Sequence, residues 1–155
     1  MYGKILLPVD DLESAGLAIS NAKEVAGSSG AEVILLHVVS PENPMVMHDE
    51  HIGSAQVAAD VYEAAQHDEA QHVREQSENM QAAAEEIAAT GVKASSQVVV
   101  GNASTEIVKA VTEQEVDLVI ISTHARRGVS RAFLGSVADE VMKELEVPVM
   151  VVRRS

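Results

Sequence analysis

The chain has 155 residues, 46% of them apolar, and a net charge of −13. That length suits one ordinary domain with its own core, and the apolar share excludes a disordered acidic tail. The lack of cysteine excludes a disulfide framework, a thiolate metal site and a cysteine nucleophile, and the negative charge argues against nucleic acid, whose phosphates need a basic surface.

Five short runs rich in Val and Ile alternate with helical patterns. The first, Lys4–Val9, is almost continuously apolar, as strands buried on both faces of a parallel sheet are. Behind it Ala15, Ala18, Ile19, Ala22, Val25 and Ala26 fall at helical spacing, and Gly27 stands where a C-terminal cap belongs. The second run, Glu32–Val39, leads into Ser40–Val57, which holds Pro41, Pro44 and Gly53 and has no period. This stretch, about residues 40–57, is expected to be a flexible loop, the most mobile segment and able to cover a site beside it. A long helix from about Ala58 to Ala89 follows and stops at Gly91, with Val73, Met80, Ala84 and Ile87 on one stripe.

The third run, Ser96–Val100, precedes a helix over about Ser104–Glu115 that turns Ile107, Ala110 and Val111 inward. The fourth, Leu118–Ser122, precedes a helix opening at Ser136, with Val137, Val141 and Leu145 on one face. The fifth, Val147–Val152, comes last. Strict strand–helix alternation implies an α/β fold, a doubly wound five-stranded parallel sheet with right-handed crossovers, in one domain over residues 1–155.

Charge is uneven along the chain. Residues 41–90 hold eleven of the 24 acids and one base, Arg74, whereas six of the 11 bases lie from Arg126 onward. The acidic middle reads as a solvated face. His48 and His51 beside Asp49 and Glu50 invite a metal reading, but spacing fixes no third ligand. His67 and His72 fall on different helix faces and read as solvated. No run approaches the ~20 apolar residues of a membrane helix. Nothing ahead of Lys4 reads as a secretory signal, and the missing cysteines favour a reducing compartment, so the expected location is cytoplasmic.

Two features near the end point toward phosphate. Arg126, Arg127 and Arg131 fall within six residues of an otherwise acidic chain; guanidinium groups suit phosphate oxygens, a solvated loop being the other reading. Gly135-Ser136 opens the last helix, whose free N–H groups and positive end attract anions. The alternative makes Ser136 an N-cap, with Ser136 and Asp139 forming a capping box.

Ser122-Thr123-His124-Ala125, then the nine residues Arg126–Leu134, then Gly135-Ser136 match a pattern in spacing. In ATP-binding universal stress proteins, strand four runs into Gly-x-x-Gly, nine residues, and Gly-Ser or Gly-Thr opening the last helix. The stretch from Gly128 to Arg153, the opening Leu7-Pro8-Val9-Asp10, the strand end Leu36-His37-Val38-Val39 and Gly101 after strand three also resemble that family. The likeness covers nearly the whole chain apart from the middle loop. It implies an adenine nucleotide alpha hydrolase-like sheet in the order 3-2-1-4-5, with a crevice between strands one and four.

Carried over position by position, the resemblance implies that ATP or AMP, with or without Mg, meets Pro8, Val9 and Asp10 at strand one and Val38 at strand two. On the other side it implies Ser122, His124, Ala125, Arg126 and Arg127 after strand four, and Gly135, Ser136 and Val137 at the last helix. Asp10 would hold a ribose hydroxyl or magnesium, or else cap the first crossover. Val38 would wall the base, or else pack in the core. His124 would contact a phosphate, or else face solvent. Ser122 and Ala125 replace the two motif glycines, and Asp11 stands where a glycine commonly follows. A left-handed conformation forced on Ala125 costs ~1–2 kcal/mol, so affinity is expected below that of members with all the glycines.

The last strand, Val147–Val152, is strongly apolar and would lie at the sheet edge in the family's order, so a homodimer through it is expected, as family members often pair there; an unknown protein partner is expected too, and from charge and hydropathy neither nucleic acid nor membrane. Three functions follow from the resemblance: a nucleotide-binding stress-response module, a dimeric interaction protein without nucleotide, and a slow ATPase. The ATPase ranks last, because no residue reads as a general base aimed at a water.

Overall fold

The computed structural model describes residues 1–41, 55–124 and 135–154. In chain order the elements are β1 (Lys4–Pro8), α1 (Gly16–Ser29), β2 (Glu32–Val39), α2 (Ala55–Ala88), β3 (Ala94–Val100), α3 (Ala103–Glu113), β4 (Leu118–His124), α4 (Ser136–Glu144) and β5 (Val149–Arg154). The strands form one parallel sheet in the order β3-β2-β1-β4-β5, which is the α/β order expected.

Side chains alternate between the two faces, and each face carries its own core. Ile5, Leu7, Val33, Leu35, Leu118 and Ile120 pack with α1 (Ala18, Ala22, Ala26) and α2 (Met80, Ala84, Ile87). Leu6, Ile34, Leu36, Val119 and Ile121 pack with α3 (Ile107, Ala110, Val111) and α4 (Ala138, Val141). Covering both faces removes any need for polar alternation, which is why the strands read as continuous apolar runs. Ile5, Leu6 and Leu7 of β1 are wholly buried; burying each such side chain stabilises the fold by about 1.5–3 kcal/mol.

Element bounds differ from the sequence reading where local chemistry decides. The cap of α1 is Gly30, not Gly27: Gly30 has φ 75° and its N–H reaches the Ala26 carbonyl at 2.8 Å. Gly27 lies inside the helix, and a glycine marks a helix end only where the chain adopts the left-handed turn. The last strand runs Val149–Arg154 rather than Val147–Val152. Leu145, Val147 and Val149 instead pack onto the α3/α4 core, and the Pro148 carbonyl accepts from Val119 N–H as β5 begins.

The inward face of α4 is Ala138 and Val141, while Val137 is 37% exposed. Ser136 and Asp139 form no capping box. Gly135 is the N-cap and makes no side-chain cap bond, and Asp139 pairs instead with Lys143 at 2.7 Å. Of the stretch expected as a loop over 40–57, residues 55–57 already belong to α2, and residues 42–54, with His48 and His51, lie outside the described residues. No helix among the described residues is long and apolar enough to cross a membrane.

Candidate functional site

The sheet has a seam between β1, its central strand, and the neighbouring β4, where the backbone ladder is shortest. Adjacent strands are otherwise registered over many positions, five for β1 with β2 and six for β4 with β5. The pair β1–β4 is in register at Ile5–Leu118 and Leu6–Val119 alone. The physical reason is Pro8. Along β1, Gly3 O and Val9 N–H bond to β2, whereas Lys4 O bonds toward β4 through Asp117 N–H. Odd-numbered residues thus address β2 and even-numbered ones address β4. The next rung toward β4 falls to residue 8, and proline has no N–H to give. Beyond Leu6 and Val119 the ladder therefore stops.

The ladder ends where the crossovers from β1 and β4 leave on opposite faces, at the carboxyl ends of the strands. Such a switch point is where open α/β sheets receive ligands. It is flanked by the residues after β1 on one side and the end of β4 on the other. The end of β1 is held to β2 twice. Val9 N–H donates to the Leu36 carbonyl at 2.8 Å, and His37 Nδ1 lies 2.7 Å from the Val9 carbonyl oxygen. A carbonyl only accepts, so Nδ1 carries the proton and donates.

Asp10 follows directly and is exposed. It does not cap the first crossover. The N-cap of α1 is Ala15, with no side-chain cap bond, and the turn ahead of it is closed by Asp11, which accepts from Glu13 N–H at 3.1 Å and Ser14 N–H at 3.0 Å. This aspartate turn explains a side chain at a position where a glycine was anticipated, and it leaves Asp10 outside the turn. Val38 is partly buried against the α3/α4 core, so its packing role is real whatever else it meets. Pro8 is half-buried, and Val9 is buried in the α1/α2 core.

Across the seam, Ser122 lies near the end of β4, level with Val152 of β5. Its hydroxyl oxygen is buried and has no hydrogen-bond partner among the described residues. A buried hydroxyl without a partner is costly, by about 1–3 kcal/mol, and such a group marks a place where a ligand atom or water completes the bonding. The backbone of His124 closes β4; Ala125, Arg126, Arg127 and Arg131 lie outside the described residues.

The opening turn of α4 carries Gly135, Ser136 and Val137, all exposed. Gly135 has φ −52° and ψ 154°, and among the described residues no neighbour lies within 4 Å of where a Cβ would stand. The turn offers backbone N–H groups and Asp139 as its only acid. Asp139 is engaged by Lys143, whose pKa is raised first by that hydrogen bond and then by the carboxylate charge. The helix is fixed in place through α3, because the Ser104 hydroxyl sits 2.5 Å from Glu140 Oε2 and 2.8 Å from Asn102 Oδ1. Asn102 in turn caps α3 by accepting from Thr105 N–H at 3.2 Å.

Pro8, Val9, Asp10 and Val38 thus lie on the β1/β2 side of the seam and Ser122 on its β4 side. The motif reading missed His37, whose ring reaches a residue 28 positions away. The available signal was a lone histidine near the end of an otherwise apolar strand.

Comparison with known proteins gives a consistent kinship. Universal stress protein MJ0577 of Methanocaldococcus jannaschii is 32% identical over 157 residues, spanning 99% of this chain and 96% of the relative. A solved structure of MJ0577 superposes with a TM-score of 0.77 at 30% identity, covering 100% of this chain and 98% of that one. More distant structures share the fold. One is the universal stress protein from Archaeoglobus fulgidus in complex with dAMP, with TM-score 0.60, 19% identity and 97% of each chain covered. Another is a universal stress protein in complex with cAMP, with TM-score 0.58, 20% identity, and 99% of this chain and 98% of that one covered. The model of the universal stress protein family matches residues 1–153, and the chain belongs to that family.

Proposed function

We propose that this protein is a stress-response module of one domain that binds an adenine nucleotide in the open seam between β1 and β4. In this reading the nucleotide, ATP or AMP, sets conformation or partner choice and is not turned over. The observation that carries it is the seam itself: a strand pair whose backbone ladder ends at Leu6 and Val119, with the Ser122 hydroxyl, unpartnered among the described residues, on one side and exposed Asp10 on the other. The dAMP and cAMP complexes of proteins with the same fold support the choice of nucleotide class.

The chemistry suits that class. The open N-terminus of α4 at Gly135, Ser136 and Val137 offers N–H donors to phosphate, with Arg126 and Arg127 preceding it in sequence and His124 and Ala125 joining β4 to that stretch. Asp10 cannot approach phosphate as a carboxylate and suits a ribose hydroxyl or a magnesium ion. Val38 supplies an apolar wall for a base.

A homodimer through β5 completes the proposal. This strand has a neighbour on one side only, and an apolar edge strand invites pairing with a second copy. The absence of basic surface over residues 41–90 fits protein rather than nucleic-acid partners, in the cytoplasm.

Two measurements test the proposal together. Native mass spectrometry of the purified protein should show an adenine nucleotide retained, or calorimetry with ATP or AMP and Mg should show saturable binding. No retained nucleotide and no heat at millimolar ligand would leave the dimeric interaction protein as the function. Steady phosphate release above a Gly135→Val control would move the assignment to a slow ATPase.

A further inference from the structure

The end of β1 is released on one flank and held on the other. Toward β4, Pro8 ends the ladder by lacking a donor. Toward β2, a continued parallel ladder would bring the Val38 N–H to the Val9 carbonyl, but β1 pairs with β2 only as far as Pro8–Leu36. The His37 side chain takes the Val9 carbonyl instead, at 2.7 Å. A ring donor on a strand therefore substitutes for a backbone rung at the last position before Asp10.

From this geometry we infer that His37 is the positioning residue of the seam. Its Nδ1–H draws the Val9 carbonyl toward β2, away from β4, and so fixes where the chain turns and where Asp10 is presented. Two features set the role apart from ordinary packing. It needs a donor two bonds beyond Cβ, which imidazole supplies and a leucine of similar bulk does not. It also commits the ring to the Nδ1-protonated form, leaving Nε2 as the acceptor of the neutral ring.

The bond acts on Val9, whose N–H the Leu36 carbonyl holds and whose side chain lies in the α1/α2 core, so that the ring is the one hold on its carbonyl among the described residues. Losing it frees the peptide joining Val9 to Asp10, while the cores formed by Ile5, Leu6 and Leu7 stay packed. The expected damage is thus local to residues 9–11 and to whatever binds there. The affinity readout rests on the nucleotide reading of the seam; the exchange and tautomer readouts do not.

The test compares the unaltered protein with His37→Leu and His37→Asn. Asparagine places an amide N–H at the same bond count from Cα as Nδ1. His37→Leu should speed amide exchange at Val9, Asp10 and Asp11 by about tenfold and weaken AMP binding by a similar factor, equivalent to about 1.4 kcal/mol. His37→Asn should keep both within about twofold of the unaltered protein, since one neutral hydrogen bond replaces another. Nitrogen-15 spectra of the unaltered protein should show His37 protonated at Nδ1. A folded His37→Leu protein with unchanged exchange at residues 9–11 would overturn the inference, as would an Nε2-protonated ring. If His37→Leu fails to fold, the Asn variant and the ring spectrum still decide. If the unaltered protein binds neither AMP nor ATP, the nucleotide reading fails, and the exchange and tautomer results judge His37 alone.

Discussion

Replacing Pro8 with alanine restores the one donor that β1 lacks toward β4. The ladder between these strands ends at Leu6–Val119, and residue 8 holds the next N–H position on that flank. A new backbone hydrogen bond there is worth about 1 kcal/mol net. Losing proline's restriction of the unfolded chain costs about 0.4–1 kcal/mol. The two nearly cancel, so Tm should move by no more than about 2 °C, given ~2–4 °C per kcal/mol at this chain length.

Nucleotide affinity should not be neutral. A bias of about 1 kcal/mol toward a closed seam leaves roughly one molecule in six open, which raises the apparent Kd about sixfold. Calorimetry with AMP measures that factor, and hydrogen exchange at the new amide of position 8 reports whether the rung has formed. A protected amide with unchanged affinity would show that seam width does not govern binding. An unprotected amide would show that something other than the missing donor holds the strands apart.

Gly135→Val should lower Tm only slightly, through the poorer N-cap, because φ is −52° and no described residue stands within 4 Å of the new Cβ, while abolishing nucleotide heat in calorimetry. Ser122→Ala should raise stability in denaturant melts by about 1 kcal/mol by deleting an unpartnered buried hydroxyl, and should weaken nucleotide binding severalfold. If affinity is untouched, the hydroxyl does not face the ligand. Gly30→Ala should lower stability by about 1 kcal/mol because of its left-handed φ of 75°, whereas Gly27→Ala, inside α1, should raise it by about 0.5–1 kcal/mol. Asn102→Ala should cost about 0.5–2 kcal/mol through the lost cap of α3, read in the same melts.

The sequence was most informative where structure is local or doubly buried. Unbroken Val and Ile runs betray strands covered on both faces, and helical spacing placed Met80, Ala84, Ile87, Ile107, Ala110 and Val111 inward, as they are. Strand order was a different matter. Periodicity says nothing of which strands are neighbours, and the order 3-2-1-4-5 came from the likeness to a family. Single-position readings failed where two residues compete for one task. Gly27 and Gly30 are both plausible caps, and only the chain's path places the left-handed turn at Gly30. Asp10 and Asp11 both follow β1, and only the geometry of the chain assigns the turn before α1 to Asp11.

By itself, then, the amino-acid order determined an α/β chain of alternating buried strands and helices, because burial on two faces and helical periodicity are written in adjacent residues. It also carried the motif around Gly135 and Ser136. What the tertiary structure alone decided is the seam: that Pro8 falls on the flank facing β4, that His37 reaches back to the Val9 carbonyl, and that the Ser122 hydroxyl has no partner among the described residues. Each depends on which strands lie side by side and in what register, and hydrogen bonds between distant segments leave no periodic trace in either one.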